Sequence, residues 1–349
     1  MTDETLLELD GSAGGGQLLR TALALSMVSQ TPFRMENIRG NRPTPGLKPQ
    51  HLTGVRAAAE LCDAEVEGAQ PESEELTFRP GAPTGGRVEV EIGTAGSVLL
   101  LFDALLPVAT ELDRPLAVTA TGGTDVKWSP TLAHYRGVKL PLARRAGLFA
   151  TVEDARTGFY PAGGGEATLL LAPSELAPIE AADRGALEGV RISSKASADL
   201  ADADVAGRQA ERSADLLRAN LPEEVPVTEQ TASSVDTPST GSAISVALDY
   251  AETTAGFDAL GEQGKPAEAV GGEVAESAVT FHEGVGAVDA HTADQLVVLL
   301  ALAGGRVAIP EVTPHVRTNA DLVAEFGFPV EIEAGDSGEP AVLTAPRSE

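Results

Sequence analysis

Cysteine is nearly missing from this chain. Cys62 is its one thiol, which excludes an internal disulfide and any cysteine-based metal cluster. Its setting, Ala59-Glu-Leu-Cys62-Asp, reads as a buried helix position. Lysine is scarce too: Lys48, Lys127, Lys139, Lys195 and Lys265 are all there are, so arginine supplies most of the positive charge. Long apolar runs are absent. Those at 98–102 and 296–302 are far too short to span a bilayer, so no membrane partner is expected. Residues 1–10 are acidic and lack a signal-peptide core, which points to the cytoplasm. There is no Walker A loop, because Gly261-Glu-Gln-Gly264-Lys265-Pro has the wrong spacing and ends in proline. A Gly-x-Ser-x-Gly elbow is missing, and no two histidines sit four apart on a helix; both absences argue against a serine hydrolase or a zinc site. His282, at an expected strand end, reads as structural.

What is abundant is acid. The 349 residues carry 52 acidic and 25 basic side chains, a net charge of −27. A hydrophobic content of 42% with 22% charged residues describes a folded globular chain of one large domain or two. Such a charge would ordinarily argue against nucleic acid as a partner. It also suits a protein of very salty cytoplasm, where the Debye length shrinks to a few ångströms and repulsion is screened. On that halophilic reading net charge says little about partners.

The pattern of elements repeats. A strand over 6–10 leads through Gly11-Ser-Ala-Gly14-Gly15-Gly16 into a helix over 17–29. A strand (33–38), the polar loop Arg39-Gly-Asn-Arg42-Pro-Thr-Pro-Gly46, a helix (50–61) and a short strand (65–67) follow. The same order returns from 87 to 152, with Gly93-Thr-Ala-Gly96-Ser97 before a helix over 98–108 and Gly122-Gly-Thr-Asp125 before one over 132–146. A third copy is expected from about Asp289: helix 296–303, a strand running 307–312, and a turn at Thr313-Pro314 that blocks helix and carries His315. Thr318-Asn319 would then open the last helix and lead to a strand at 330–332. The first two copies lie about 80 residues apart (Gly16 to Gly96) and the third about 196 further on (Gly96 to Thr292). The surplus, 183–278, reads as a small inserted α/β domain, with 1–182 and 279–349 as the core. The expected fold is α/β: three βαβ-type repeats, each a sheet carrying helices on one face, plus the insertion.

Arg39/Arg42, Asp125 and His315 fall in equivalent loops, which suggests one shared site. His51 and His134 fall near the start of their own units' second helix, as His315 does. Gly14-Gly15-Gly16-Gln17 at a helix start is a plausible anion site, since bare N–H groups and the positive helix end favour phosphate, though glycine turns before helices are common. Arg20, Arg39 and Arg42 form the densest arginine cluster of the chain; they suit phosphate oxygens or, equally, salt bridges to surplus carboxylates. Asp294-Gln295 could hold a metal or a ribose, or merely cap a helix.

Several motifs together resemble the RNA 3′-terminal phosphate cyclases: Gly14-Gly-Gly-Gln-Leu-Leu-Arg20, Ile38-Arg39-Gly-Asn-Arg42-Pro-Thr-Pro-Gly46, Gln50-His51-Leu-Thr and Gly93-Thr-Ala-Gly-Ser97. Gly122-Gly-Thr-Asp125, Gly158-Phe-Tyr-Pro-Ala-Gly-Gly-Gly165, Ala293-Asp-Gln-Leu296 and His315-Val-Arg-Thr-Asn319 continue the match in family order, all outside the insertion. The resemblance implies three repeats akin to the C-terminal domain of translation initiation factor 3. It implies an enzyme that uses ATP and a divalent metal (Mg²⁺ or Mn²⁺) to turn an RNA 3′-phosphate end into a 2′,3′-cyclic phosphate. His315 matches the nucleophile that carries AMP. Gly14, Gly15, Gly16, Gln17, Asp103, Pro130, His291, Asp294 and Gln295 match the ATP side, with Asp294 also the metal candidate. Arg20, Arg39, Arg42, Gln50 and His51 match positions that handle RNA phosphate. Two departures stand out: Ala13 replaces a glutamate of many relatives, on a turn two residues shorter, and Asp103 replaces a glutamine. A non-catalytic ribosome-assembly relative would lack His315, and an enolpyruvyl transferase would lack the match at Arg39–Gly46. A homodimer is compatible with the sequence. The insertion, free of family motifs, is expected to carry no nucleotide-transfer residue.

Overall fold

A computed structural model of the chain describes residues 6–93 and 95–347. Residues 1–5, and Thr94 within the Gly93–Ser97 motif, lie outside the described residues. The first unit runs β1 (Leu7–Asp10), α1 (Gly16–Ser29), β2 (Phe33–Glu36), α2 (Pro49–Cys62), β3 (Glu65–Glu67) and β4 (Leu76–Arg79). Its sheet has the order β1-β2-β4-β3, with the first pair parallel and the others antiparallel. The second unit is β5 (Gly86–Glu91), α3 (Val98–Leu105), β6 (Leu116–Gly122), α4 (Leu132–His134), α5 (Leu140–Arg145), β7 (Ala150–Arg156) and β8 (Gly165–Leu171). A π-helical turn, Tyr135–Lys139, joins α4 to α5. The sheet order, β5-β6-β8-β7 with β5 and β6 parallel, is that of the first unit.

The third unit departs from the sequence reading at its start. It opens with β9 (Ile179–Ala181), well before Asp289. The chain then leaves for β10 (Leu187–Ser197), α6 (Val205–Asn220), β11 (Val227–Val235), β12 (Ser242–Tyr250), β13 (Thr254–Leu260) and α7 (Ala267–Glu283). It returns as α8 (Ala290–Ala303), β14 (Gly305–Ile309), α9 (Pro314–Glu325), β15 (Glu331–Glu333) and β16 (Ala341–Ala345). The sheet β9-β14-β16-β15 closes with β9 and β14 parallel, so the same topology occurs three times. The insertion therefore splits the third unit between its first strand and first helix. Each unit also has a fourth strand, β4, β8 or β16, beyond the βαβ pattern.

The helices of the three units meet at the centre. α1 packs on α2, α3 and α9, and α8 packs on α9. Residues 18, 19 and 21–27 of α1 are all buried, so this helix is apolar nearly all round, as a helix enclosed by others must be. β6 and β8 alternate buried and half-buried residues, one face on the helices and one outward. The inserted segment has a sheet of its own, β11-β10-β12-β13, with α6 and α7 packed together over it. It buries a separate apolar cluster that includes Val190, Ile192, Leu217, Val246 and Phe281.

The start of α9 also differs from the sequence reading. β14 stops at Ile309, and Thr313 caps α9 with its hydroxyl accepting from the Val316 N–H at 3.0 Å. Pro314 is the first helical residue, where a missing N–H costs nothing, so it starts the helix instead of blocking it. His315 thus sits in the first turn of α9, not on a turn before it.

Candidate active site

A cavity of about 740 Å³ opens where α1, α3, α8 and α9 meet the inserted segment. Gln17, Arg20, Asp103, Pro130, His291, Asp294, Gln295 and His315 all line it. His315 is exposed to it. A lattice of side chains fixes the helix turn that carries this imidazole. Thr313 donates its hydroxyl proton to the Asp294 carboxylate, tying the cap of α9 to α8. Asn319 donates to the Asp294 carbonyl at 3.3 Å and accepts from the Thr21 hydroxyl at 3.1 Å. Gln17 donates to Thr318 at 3.0 Å. Three helices from two repeats therefore hold His315, and the N–H groups of α9's first turn give that end a preference for negative charge. Burial raises the Asp294 carboxyl, against the opposing pull of the Thr313 hydrogen bond and of His315 and His291.

The cavity floor is cationic. Arg20 is half-buried in the cavity wall, and desolvation lowers its pKa while the Asp103 charge opposes that. Among the described residues its guanidinium has no hydrogen-bond or salt-bridge partner, leaving its donors for a ligand. Lys139, 3% exposed, lies 3.4 Å from Asp103 Oδ1, close enough for ion pairing but outside hydrogen-bond geometry. Its Nζ donates to the Gln295 carbonyl and to Gln295 Oε1, both at 3.2 Å. That commits the Gln295 amide oxygen and leaves its NH₂ to donate elsewhere. Buried Lys139 and half-buried Arg20 face one carboxylate, so the floor has an excess positive charge that suits an anion.

Gly14, Gly15, Gly16, Arg39, Arg42, Gln50 and His51 do not line this cavity. They lie around the N-terminus of α1. A Cβ on Gly15 would stand 3.1 Å from Arg42 Nη2, and one on Gly16 would stand 2.1 Å from His51 Nε2. The glycines therefore let a guanidinium and an imidazole lie against the start of α1. Gln50 is close to Gly96 in the same way. Burial, then the charges of Arg39, Arg20 and Lys48, lower His51 to about 4, so the ring is neutral at ordinary pH. Its Nδ1 accepts from the Lys48 N–H at 3.2 Å. Arg39 departs from a pure phosphate reading. Its Nη1 donates to the Thr44 and Gly46 carbonyls at 2.8 and 3.0 Å, and its φ of 58° is left-handed, so it also braces its own loop.

Asp125 does not join the site. It is buried, accepts from the Leu132 N–H at 3.3 Å and pairs with Lys195 of the insertion at 2.7 Å. The insertion, conversely, is not remote from the cavity. The hairpin of β12 and β13 turns its chain back toward the core, and Gly256, Asp258, Leu260, Glu262 and Lys265 line one wall. Asp258 accepts from the Thr131 N–H and hydroxyl at 2.9 and 2.8 Å, and Gly256 donates to the α8 cap Asp289 at 3.0 Å. Sequence reading missed Lys139, Asp258 and Asn319. Lys139 carried one signal, a rare lysine between Val138 and Leu140 in an apolar helical frame.

Among the described residues no three His, Cys, Asp or Glu side chains converge as a metal cage. Asp294 offers a single carboxylate, one of whose oxygens is already engaged by Thr313. A divalent metal there fits only by drawing its other ligands from phosphates and water, the usual habit of Mg²⁺.

A family model described as RNA 3′-terminal phosphate cyclase matches residues 12–333. The chain belongs to the RNA 3′-terminal phosphate cyclase family. An RNA 3′-terminal phosphate cyclase of Halobacterium salinarum is 47% identical over 348 residues, covering 97% of this chain and 99% of the relative. One of Methanopyrus kandleri is 41% identical, covering 97% and 98% of the two chains. One of Archaeoglobus fulgidus is also 41% identical, covering 92% and 95%. The three-unit core and its insertion fit this family, and no helix among the described residues is long and apolar enough to cross a membrane.

Proposed function

We propose that this cyclase uses ATP to convert an RNA 3′-terminal phosphate into a 2′,3′-cyclic phosphate, with His315 as nucleophile. The observation that carries the reading is the exposed imidazole of His315 sharing one cavity with the Arg20 guanidinium, which among the described residues makes no hydrogen bond. In the first step the imidazole attacks the α-phosphorus of ATP, a P–N bond forms and pyrophosphate leaves. A phosphoramidate of this kind is a reactive donor. An oxygen of the RNA 3′-phosphate then attacks the same phosphorus, freeing His315 and leaving the RNA end adenylated. The 2′-hydroxyl finally attacks the 3′-phosphorus and expels AMP, giving up its proton as the ring closes.

On this reading Gln17, Asp103, Pro130, His291, Asp294 and Gln295 hold the nucleotide, helped by the backbone of Gly14, Gly15 and Gly16. Lys139 aligns the Gln295 amide and adds charge beneath the phosphates. Arg20, Arg42, Gln50 and His51 receive the RNA end, with Arg39 setting the loop. A divalent metal, with Asp294 as its protein ligand, would neutralise the polyphosphate and help pyrophosphate leave. The three-unit core carries the transfer chemistry, and the insertion, which runs to the end of α7 at Glu283 and not to 278, folds as a separate unit that walls the cavity. The workplace is a cytoplasm of molar salt, as the net charge of −27 suggests.

The test is incubation with α-labelled ATP and a divalent metal. The wild type becomes covalently labelled; His315→Ala keeps its fold, loses the label and loses overall cyclisation. The same variant still cyclises RNA supplied with a pre-formed 3′-adenylate, because that step needs no enzyme nucleophile. A His315 variant that kept the label would move the nucleophile elsewhere, with His51 the next candidate.

A further inference from the structure

Trp128 is the chain's one tryptophan, and it is 89% exposed, the most exposed of the large apolar side chains. It stands on the rim of the same cavity, in the loop that leads to Pro130. Its φ of 63° is left-handed, a strained setting for a bulky residue that persists only where neighbours enforce it. The neighbours do so on both sides. Val126 and Pro130 are buried, Lys127 pairs with Glu262 of the insertion at 2.7 Å, and Thr131 is clamped by Asp258. A rigid loop thus presents to water an indole that has no bonded or stacked partner among the described residues, at the mouth of the site proposed to receive an RNA end.

Charge deepens the point. Long-range attraction to RNA is unavailable to a chain of net charge −27 in molar salt. Three of its five lysines, Lys127, Lys139 and Lys265, nevertheless line this cavity. All three are already paired with carboxylates, Glu262, Asp103 and Glu273, so local charge alone attracts RNA weakly and the rest of the affinity must come from a force that salt does not screen. Base stacking on an aromatic ring is such a force, and it is indifferent to sequence.

We propose that the indole of Trp128 is a stacking platform for the 3′-terminal nucleobase of the substrate RNA. This rests on the reading of the site as a cyclase, yet it can be tested by RNA binding alone. The sole tryptophan makes the probe direct. In molar KCl, a short RNA ending in a 3′-phosphate quenches Trp128 fluorescence, whereas ATP alone does not. By anisotropy of a labelled RNA, Trp128→Ala weakens binding about five- to a hundredfold, as expected for one stacked base. Trp128→Phe retains most of the affinity. An RNA with an abasic 3′-terminal nucleotide binds the wild type as weakly as intact RNA binds Trp128→Ala, and the variant does not distinguish the two. Self-adenylylation by ATP is unchanged in Trp128→Ala. The proposal is overturned if bound RNA leaves the fluorescence unaltered, if Trp128→Ala binds RNA normally, or if its defect is a raised KM for ATP, which would put the indole on the nucleotide. A wild type that forms no AMP adduct but shows the quench and the abasic effect would refute the mechanism and leave the stacking platform standing.

Discussion

Replacing Asp103 with asparagine tests whether the cavity floor is an excess-charge anion site. The perturbation is nearly isosteric and removes only the carboxylate between Arg20 and Lys139. At the 3.4 Å separation of Lys139 and Asp103, Coulomb's law with an effective dielectric of about 20 gives roughly 5 kcal/mol of gross attraction. Much of that is offset by the cost of burying both ions. What the substitution exposes is the remainder, because it leaves a buried lysine and a half-buried arginine without the carboxylate they share. Breaking a buried pair in this way costs about 3–5 kcal/mol. Lys139→Met should cost less, since Arg20 still faces Asp103 and the charges balance. In the double variant the loss should fall short of the sum by about 2–3 kcal/mol, at the upper end of contact couplings. Urea denaturation at fixed molar KCl, followed by circular dichroism, measures this; urea leaves ionic strength constant. Saturating ATP should narrow the deficit of Asp103→Asn, because bound phosphates replace the missing negative charge. Additive costs in the cycle, or an Asp103→Asn variant within about 1 kcal/mol of wild type, would refute the reasoning.

At the start of α1, Gly16→Ala forces the His51 ring to move, its Nε2 being 2.1 Å from the new Cβ. The AMP adduct should survive while cyclisation falls at least about tenfold; Gly54→Ala, which meets nothing within 4 Å, is the neutral control. His51 also gives a pH signature. Its folded pKa of about 4 lies below the unfolded value, so stability is fully present above about pH 6.5 and is lost as pH falls toward 4. Relative to His51→Gln, the wild type should lose about 2–3 kcal/mol between pH 7 and pH 4.5, and parallel curves would show the ring is not held neutral. Salt dependence checks the halophilic reading: stability and activity should rise steeply from ~0.1 M to ~2 M KCl as repulsion within a chain of net charge −27 is screened. A flat response would count against it.

The helices of the core were readable because their periodicity is long and their punctuation local. What escaped notice depends on distant partners. β9 has three residues and is a strand only because Gly305, Arg306 and Val307 pair with it more than a hundred residues later. β4 is four residues long and takes its identity from β2 and β3. The run Leu169–Leu171 in β8 reads equally as strand or helix until β6 and β7 flank it. Pro314 misled for another reason: a proline that ends one element and a proline that begins a helix look alike in sequence, and only the Thr313 cap distinguishes them. The site divides the same way. Residues that recur as short motifs were legible, whereas Lys139 reaches Gln295 across 156 positions and Thr131 reaches Asp258 across 127.

The threefold repetition shows what such long-range contacts decide. Each unit places a histidine in the first turn of its second helix: His51 in α2, His134 in α4 and His315 in α9. The position is shared but the surroundings are not. His51 lies against Gly16, where burial and then the neighbouring arginine charges keep it neutral. His134 is 3% exposed, with its Nδ1 3.4 Å from Asp258 of the insertion and no hydrogen bond to either ring nitrogen. His315 is the exposed one of the three, its turn braced by α1, α8 and Thr313, whereas His134 reaches the same cavity only as a buried lining residue. On the proposed mechanism the nucleophile must reach a phosphorus delivered from solvent, which among these three imidazoles favours His315. Repetition supplied the position, and the packing around each copy set how exposed and how charged its ring can be.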